Sequence, residues 1–481
     1  MLSPPFVGER KIEAAIVGVS AVSNKSWSPF NSHVPATPLW RGGIGSSMLG
    51  KSLLSGTAWA FSGRVFLSVS ALLLNVLLAR LLSPAELGKY LLLFAFVSCA
   101  TVFCQLGMAQ AVVRFVSAAL SERKLGRARS SVTSIFLSVT TVCVVVAILI
   151  YVKGGVFVRG LFDFDIGRGM AAAVAMWVSV SALQGLIAET FRGFNEISYA
   201  TLFGGVISGA LSIVALFLIL VSRGVLSLYG VLIIIAGSMV VSGAIGAMAL
   251  GKKVSTLENS GRVGLGEVLH LALPIFATNL FVFFLNYADL WILGMFLGTE
   301  DVAVYGVACR LAVIISLPLS IVNAVVPPVI VEMYTHRNYS ALETLLRNVA
   351  TVAAVPSLVV TAVFILFGPI VLRVTFGDYY VAGATVLAVL SVGQMANVWT
   401  GSCGYVLMMT GGQNALMWIT VVCGACYVAV AFVVARNYGV FGLSACRAAV
   451  FALQNLLALL LVRKSLGIWT HARFRLPTFH L

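Results

Sequence analysis

Charge is what this chain has least of. Only 10% of its 481 residues are charged, and acids are the scarcer sign: 16 Asp and Glu stand against 31 Lys and Arg, with five His. That poverty, with 60% apolar residues and a mean hydropathy of +1.04, excludes an ordinary soluble domain and places the chain among polytopic membrane proteins. All eight cysteines fall in apolar stretches, so no extracellular disulfide framework is indicated. Cys423-Gly-Ala-Cys426 has the spacing of a redox or metal pair, but without His or acid nearby it reads as small packing residues in an apolar helix. The histidines are scattered and none lies well inside a span, so no metal or other cofactor is expected. No G-x-x-x-x-G-K-[ST] loop is present to use ATP.

What the chain has instead is long apolar runs. A helix needs about 20 residues to cross about 30 Å of hydrocarbon. Twelve stretches qualify: 57–79, 89–112, 131–152, 170–188, 199–221, 228–250, 269–295, 302–326, 348–368, 382–409, 414–435 and 440–462. They must be helices, because backbone amides exposed to lipid find no water. The expected fold is an all-α polytopic membrane protein.

The net charge of +15 is a topology signal. With the N-terminus inside, the inner loops and tails receive 20 of the 31 basic residues, the outer loops eight and the spans three. This split follows the positive-inside rule, puts both termini in the cytoplasm and argues against nucleic-acid binding. Residues 1–50 form a Ser-, Pro- and Asn-rich leader expected to be disordered, and 14–22 are too short and weakly apolar for a signal peptide.

The second half of the chain repeats the pattern of the first. Leu82-Ser-Pro-Ala-Glu-Leu-Gly-Lys-Tyr90 follows the first span, as Leu297-Gly-Thr-Glu-Asp-Val-Ala-Val-Tyr305 follows the seventh. Val156-Phe-Val-Arg-Gly-Leu-Phe162 closes the third span, as Ile370-Val-Leu-Arg-Val-Thr-Phe376 closes the ninth. Tyr229-Gly230 and Phe441-Gly442 open the sixth and twelfth; Lys252-Lys253 and Arg463-Lys464 end them. Four matches in order, at a nearly constant offset, predict two six-helix bundles, 51–250 and 269–463, related by a pseudo-twofold axis along the membrane normal. A polar cytoplasmic connector, 251–268, joins them, and a basic tail, 464–481, follows. Parallel repeats of this kind place a substrate site at their interface near the midplane.

Three of the few charges buried in spans are arginines: Arg64, Arg310 and Arg447; Asp289 is the one comparably deep acid. Each such charge costs about 2.5–3.5 kcal/mol at the bilayer centre on insertion scales, so they are expected to line a wet interior. A cationic interior suits an anionic cargo. Arg64, Ser68, Ala71 and Asn75 make one stripe of the first span; Asn279, Asn286 and Asp289 make one of the seventh. Milder stripes run through Ser98, Thr101 and Gln105, through Ser181 and Gln184, and through Ser444, Arg447 and Gln454. Each Arg has a scaffold reading beside the cargo reading, as the partner of Asp289 or of helix-end carbonyls. Asp289 either pairs with Arg64 or Arg447 or binds a coupling proton or sodium ion. Prolines Pro274, Pro318, Pro327, Pro328 and Pro356 lead us to expect bending mainly in the second half.

Several motifs have a familiar form. Leu78-Ala-Arg-Leu-Leu-Ser-Pro-Ala-Glu-Leu-Gly-Lys-Tyr90 resembles the "LAR-LGP-x-x-x-G-x-Y" signature of bacterial polysaccharide-export flippases, and Gln105-Leu-Gly-Met-Ala-Gln-Ala-Val-Val-Arg114 resembles their "LG…alvR" segment. Asp289-Leu-Trp-Ile-Leu-Gly294 with Val302-Ala-Val-Tyr305 resembles their "D-x-x-x-LG…vg-x-Y" block; Phe376-Gly-Asp-Tyr-Tyr380 and Arg463-Lys-Ser-Leu-Gly-Ile468 also fit. The resemblance covers residues 50–468 and is to the Wzx-type oligosaccharide flippases of the multidrug/oligosaccharidyl-lipid/polysaccharide (MOP) superfamily.

It implies translocation of an undecaprenyl-diphosphate-linked oligosaccharide across the bacterial inner membrane, by alternating access driven by an ion gradient. It further implies membrane lipids, a polysaccharide polymerase and export machinery as partners. Guanidinium forks suit phosphate oxygens, so Arg64, Arg310 and Arg447 are expected to meet the diphosphate or acidic sugars. Asn75, Gln105, Gln394 and Asn397 are expected to bond sugar hydroxyls, with Asp289 in ion coupling.

Three rivals stand against this reading. Asp163-Phe-Asp165 superficially resembles the carboxylate pair of a membrane glycosyltransferase or polymerase, but no clustered His or further acidic loop supports it. The basic loop 122–129 resembles one in major facilitators, with spacing off by one and no counterpart in the second half. Lipid II translocation and small-molecule drug export within the same superfamily are the nearest alternatives, although a pocket for organic cations would carry several acids.

Overall fold

The computed structural model describes residues 66–222, 226–258 and 263–473, all within one compact unit, Leu54–Leu481. The leader 1–50, Arg64, residues 259–262 of the connector and the tail beyond 473 lie outside the described residues. The described residues are helical almost throughout, with no strand. In chain order the α-helices are α1 (Phe66–Leu81), α2 (Pro84–Gln105), α3 (Met108–Ser121), α4 (Leu125–Phe162), α5 (Arg168–Gly193), α6 (Ile197–Val221) and α7 (Leu228–Ser255). The second half runs through α8 (Leu265–Phe296), α9 (Thr299–Ala312), α10 (Leu317–Thr335), α11 (Tyr339–Thr375), α12 (Ala384–Thr400), α13 (Cys403–Met409) and α14 (Gln413–Leu466). Pairs α2–α3, α9–α10 and α12–α13 each make one passage and α14 makes two, so the protein is an all-α polytopic membrane protein. Counting α1, described only from Phe66, its described helices account for the expected twelve passages.

Exposed apolar side chains confirm the solvent. Helix α4 presents Leu137, Val144, Ile148, Val152 and Val156 outward, a face that only hydrocarbon tolerates at this size. Short connections make successive passages antiparallel. One end of the bundle therefore carries Ser83, Asp163 and Gly377 (the Ser83 end), and the other carries Lys252, Arg337 and Gly467 (the Lys252 end).

Local chemistry sets the helix ends, and it repeats between the halves. Ser83 caps α2 in a reciprocal capping box with Glu86, and Pro84 opens the helix where its missing N–H costs nothing. Gly298 occupies the matching place before α9. The left-handed Asp163 that ends α4 corresponds to Gly377, positive in φ just after α11. Ser227 before α7 corresponds to Gly439, where α14 bends (φ 60°, ψ −149°).

The breaks within passages were not legible as spans. The expected second span, 89–112, is interrupted at Leu106 and Gly107, both left-handed. A Cβ at Gly107 would sit 2.2 Å from the Ala272 carbonyl oxygen, so the close backbone approach of α8 needs glycine there. The eighth span, 302–326, extends from Thr299 to Thr335 and tightens into a 3-10 turn over Val313–Ser316, just before Pro318. The tenth, 382–409, breaks at Gly401 (φ 73°). Bending is not confined to the second half either. Helix α6 carries a π-bulge at Leu202–Val206 with Gly205 at φ 146° and no proline, whereas α11 bends at Phe367, just before Pro369.

The two halves meet most closely at the Ser83 end. Helices α2 and α9 pack so tightly that a Cβ at Gly88 would lie 1.7 Å from the Thr299 carbonyl oxygen, and one at Gly306 would lie 2.3 Å from Leu91. Arg80 donates to the carbonyls of Val374 and Thr375, tying α1 to the end of α11. At the Lys252 end the core divides. One apolar cluster spans both halves, while a second belongs to the second half alone, around Ile330, Leu342, Val406 and Leu459. There Arg127 pairs with Glu267 across the halves.

Gly88→Val is therefore expected to prevent closure at the Ser83 end and to cost about 1–3 kcal/mol, the range for overpacking. A lowered melting temperature, with increased thiol labelling of a cysteine placed at Val302, fully buried on α9 near Thr299, is the readout. Unchanged melting and labelling would contradict the packing described.

Candidate functional site

The deep charges collect where α8, α9, α12 and the second limb of α14 converge against α2. Asp289 is 1% exposed. Its Oδ2 accepts the Tyr305 hydroxyl at 2.7 Å and pairs with the Arg447 guanidinium, and its Oδ1 accepts the Leu290 N–H at 3.0 Å. Of the two arginines open to it in the sequence, Arg447 holds it in this structure. Arg310, one helix face away on α9, has no carboxylate within ion-pair distance among the described residues. Its guanidinium lies 5.1 Å from the Phe94 ring centre on α2. Phe94 is part of an aromatic wall with Trp177 and Tyr287.

Two confluent spaces open beside these groups. The first, about 130 Å³, is lined by Asn286, Asp289, Arg310, Gln394 and Arg447, with Leu91 from the first half. The second, about 270 Å³, shares Asn286, Gln394 and Arg447 and adds Tyr427 and Gln454. Among the described residues, two guanidiniums against one carboxylate leave the cavity one positive charge. A cation–π contact supplies about 0.5–2 kcal/mol, less than the about 2.5–3.5 kcal/mol a guanidinium costs at membrane depth. Phe94 alone does not offset Arg310; water or an anion must supply the rest.

The residues expected from sequence divide. Arg310, Arg447, Asp289 and Gln394 come together. Asn75 is nearly buried and donates to the Ala71 carbonyl at 2.6 Å, while Gln105 donates to the Ala182 carbonyl at 3.1 Å and covers Gly185. Neither lines the cavity, because each satisfies a helix carbonyl in its own half. Asn397, one turn beyond Gln394, does not line it either. Arg64 lies outside the described residues. Among the described residues the polar lining thus comes from the second half, not equally from both. Tyr305 and Phe94 were missed as site residues. Tyr305 was visible as the tyrosine of the block containing Asp289, but nothing in the spacing showed its hydroxyl reaching back from α9 to the carboxylate on α8.

The architecture, helices packed around a charged membrane-depth cavity, is similar in fold to solved structures of MOP superfamily transporters. An inward-facing multidrug resistance MATE family transporter matches with a TM-score of 0.64 at 19% identity, over 85% of this chain and 98% of that one. The lipid II flippase MurJ, in an inward closed conformation, matches with a TM-score of 0.66 at 15% identity, over 84% and 87%. A MOP superfamily transporter from Pyrococcus furiosus, described as having a binding pocket of reverse polarity, matches at 0.54 and 16%, over 87% and 96%. By sequence, the chain belongs to the polysaccharide biosynthesis protein family, whose model matches residues 53–334. The MatE family model matches residues 274–440. No curated protein matches significantly in sequence. The resemblance to polysaccharide flippases of the MOP superfamily is borne out.

Breaking a buried ion pair costs about 3–5 kcal/mol because the surviving charge stays buried. Asp289→Asn should lower thermal stability on that scale, and Asp289→Leu combined with Arg447→Met should recover most of the loss. Equal melting of Asp289→Asn and the unaltered protein would show the pair to be solvated.

Proposed function

We propose that this protein flips an undecaprenyl-diphosphate-linked oligosaccharide across the bacterial inner membrane for cell-surface polysaccharide synthesis. The observation that carries the reading is the Arg310 guanidinium, without a carboxylate partner among the described residues, facing a cavity that also holds Arg447. A diphosphate presents planar arrays of acceptor oxygens to which such forks bond in pairs. Gln394 and Gln454 extend the same cavity with amides suited to sugar hydroxyls. Both termini face the cytoplasm in this reading, so the Lys252 end, where the apolar core divides, is the loading side. Cargo enters there with its tail left in the bilayer. Opening of the α2–α9 contact at the Ser83 end then completes alternating access.

Asp289 gives the cycle a coupling device. While ionised it neutralises Arg447. A proton from the gradient frees that guanidinium, so the cavity gains a second cation for the diphosphate; release of the proton restores the pair and weakens cargo binding. The Tyr305 hydroxyl holds the carboxyl in place through both states. Arg64 is proposed as a third cation on the first span.

Lipid II shares the diphosphate and is the nearest alternative cargo. Deleting the gene and analysing accumulated lipid-linked sugars separates the two. The reading predicts build-up of cytoplasm-facing oligosaccharide-diphospholipid with unchanged lipid II. Arg310→Ala should give most of that defect at normal expression, and Arg310→Lys should give less. Unchanged lipid-linked oligosaccharide would reject the reading.

A further inference from the structure

A second cavity, larger than either central one, opens sideways between α11 and α12. It encloses about 810 Å³, is almost wholly apolar, and shares no lining residue with the central spaces. Val352, Val355 and Leu358 form one wall and Val392 and Trp399 the other, all exposed. From Val352 to Thr361 the helix rises about 14 Å, close to half of the about 30 Å hydrocarbon thickness. The groove is therefore one leaflet deep.

Its mouth, at the Lys252 end, is built. After α14 ends at Gly467, the chain returns as a strap across α12 and α11. Thr470, fully buried, donates to the Thr400 carbonyl at 2.7 Å, and the Ala472 N–H donates to the Trp399 carbonyl at 2.9 Å. The Arg473 N–H donates to the Thr351 hydroxyl at 2.8 Å. Gly401 sits under the strap, where a Cβ would come within 2.5 Å of the Thr470 carbonyl oxygen. These contacts hold Arg473 at the rim beside Arg347. The two guanidiniums share one carboxylate, Glu343, at 3.9 Å and 3.3 Å, and Arg347 Nε is buried without a hydrogen-bond partner among the described residues. Among the described residues the rim thus carries one surplus positive charge and an unused donor above an apolar slot.

The geometry points to a binding site for an anionic phospholipid of the same leaflet, with an acyl chain between α11 and α12 and its phosphate at Arg347 and Arg473. The cargo's own tail fits less well. It is tethered to a diphosphate in a separate cavity, and a polyprenyl chain runs longer than one leaflet. Trp399, stacked on His471 at 5.0 Å, occupies the interfacial level at which indoles anchor to headgroups. Bound lipid would stabilise the strap and with it the Gly401 break between α12 and α13. The groove and its rim are independent of the cargo proposed above; only the exclusion of the cargo's tail rests on that reading.

The test is native mass spectrometry of the purified full chain titrated with phosphatidylglycerol or phosphatidylcholine. One tightly retained phosphatidylglycerol is expected, preferred by about fivefold for each guanidinium engaged. Arg473→Gln should reduce that preference about fivefold, and Arg347→Gln with Arg473→Gln should abolish it. Filling the slot with Val355→Trp should weaken retention of both lipids; if that variant does not fold, Leu358→Trp tests the same slot from further along. Equal affinity for the two lipids, a preference that survives the double substitution, or retention unaffected by a filled slot would overturn the assignment. So would displacement of phosphatidylglycerol by equimolar undecaprenyl phosphate, which would give the groove to the cargo's tail.

Discussion

A guanidinium at membrane depth needs an acceptor, and the arrangement of this protein's second half follows from how two of them are provided for. Arg447 is answered by Asp289, whose carboxylate is also fixed by Tyr305 and by its own helix backbone. Among the described residues Arg310 is answered only by the face of Phe94 and by the cavity itself. The difference between these two arginines makes the cavity cationic. It also ties the halves together, since Phe94 belongs to the first and Arg310 to the second.

That tie sits beside the close approach of α2 and α9 at Gly88 and Thr299. Gly88 and Gly306 let α2 and α9 approach until backbone meets backbone, bringing Leu91 and Phe94 against Arg310. Any motion that parts α2 from α9 must move Phe94 off the guanidinium and expose the cation further. Opening at the Ser83 end and the electrostatics of the cavity are therefore one event in physical terms. The divided apolar core at the Lys252 end leaves room for the reciprocal motion.

Much of this was written plainly in the sequence. Twelve apolar runs, the Leu82–Tyr90 and Leu297–Tyr305 repeat, and arginines inside spans predicted the class of fold and where charge would gather. Periodicity was less informative about side-chain direction. Asn75 lies on the stripe of Arg64, yet its amide returns to the Ala71 carbonyl, because a short amide in an apolar helix is satisfied most cheaply by its own backbone. Gln105 sits at the broken end of α2 and spans to the Ala182 carbonyl of α5, so a neighbouring helix of its own half satisfies it. The break itself depends on Ala272, in the other half of the chain from Gly107, and no local pattern carries such a contact. The lateral groove was equally hidden: its charged rim exists only because the chain after α14 folds back over Thr351 and Trp399.

The central claim, that Arg310 is held uncompensated in order to receive a diphosphate, is tested most directly by an experimental structure with an undecaprenyl-diphosphate-linked sugar bound. The account predicts diphosphate oxygens within hydrogen-bond distance of the Arg310 guanidinium, with Phe94 alongside. Cargo bound elsewhere, with Arg310 still resting on Phe94 and no anion near it, would contradict the account.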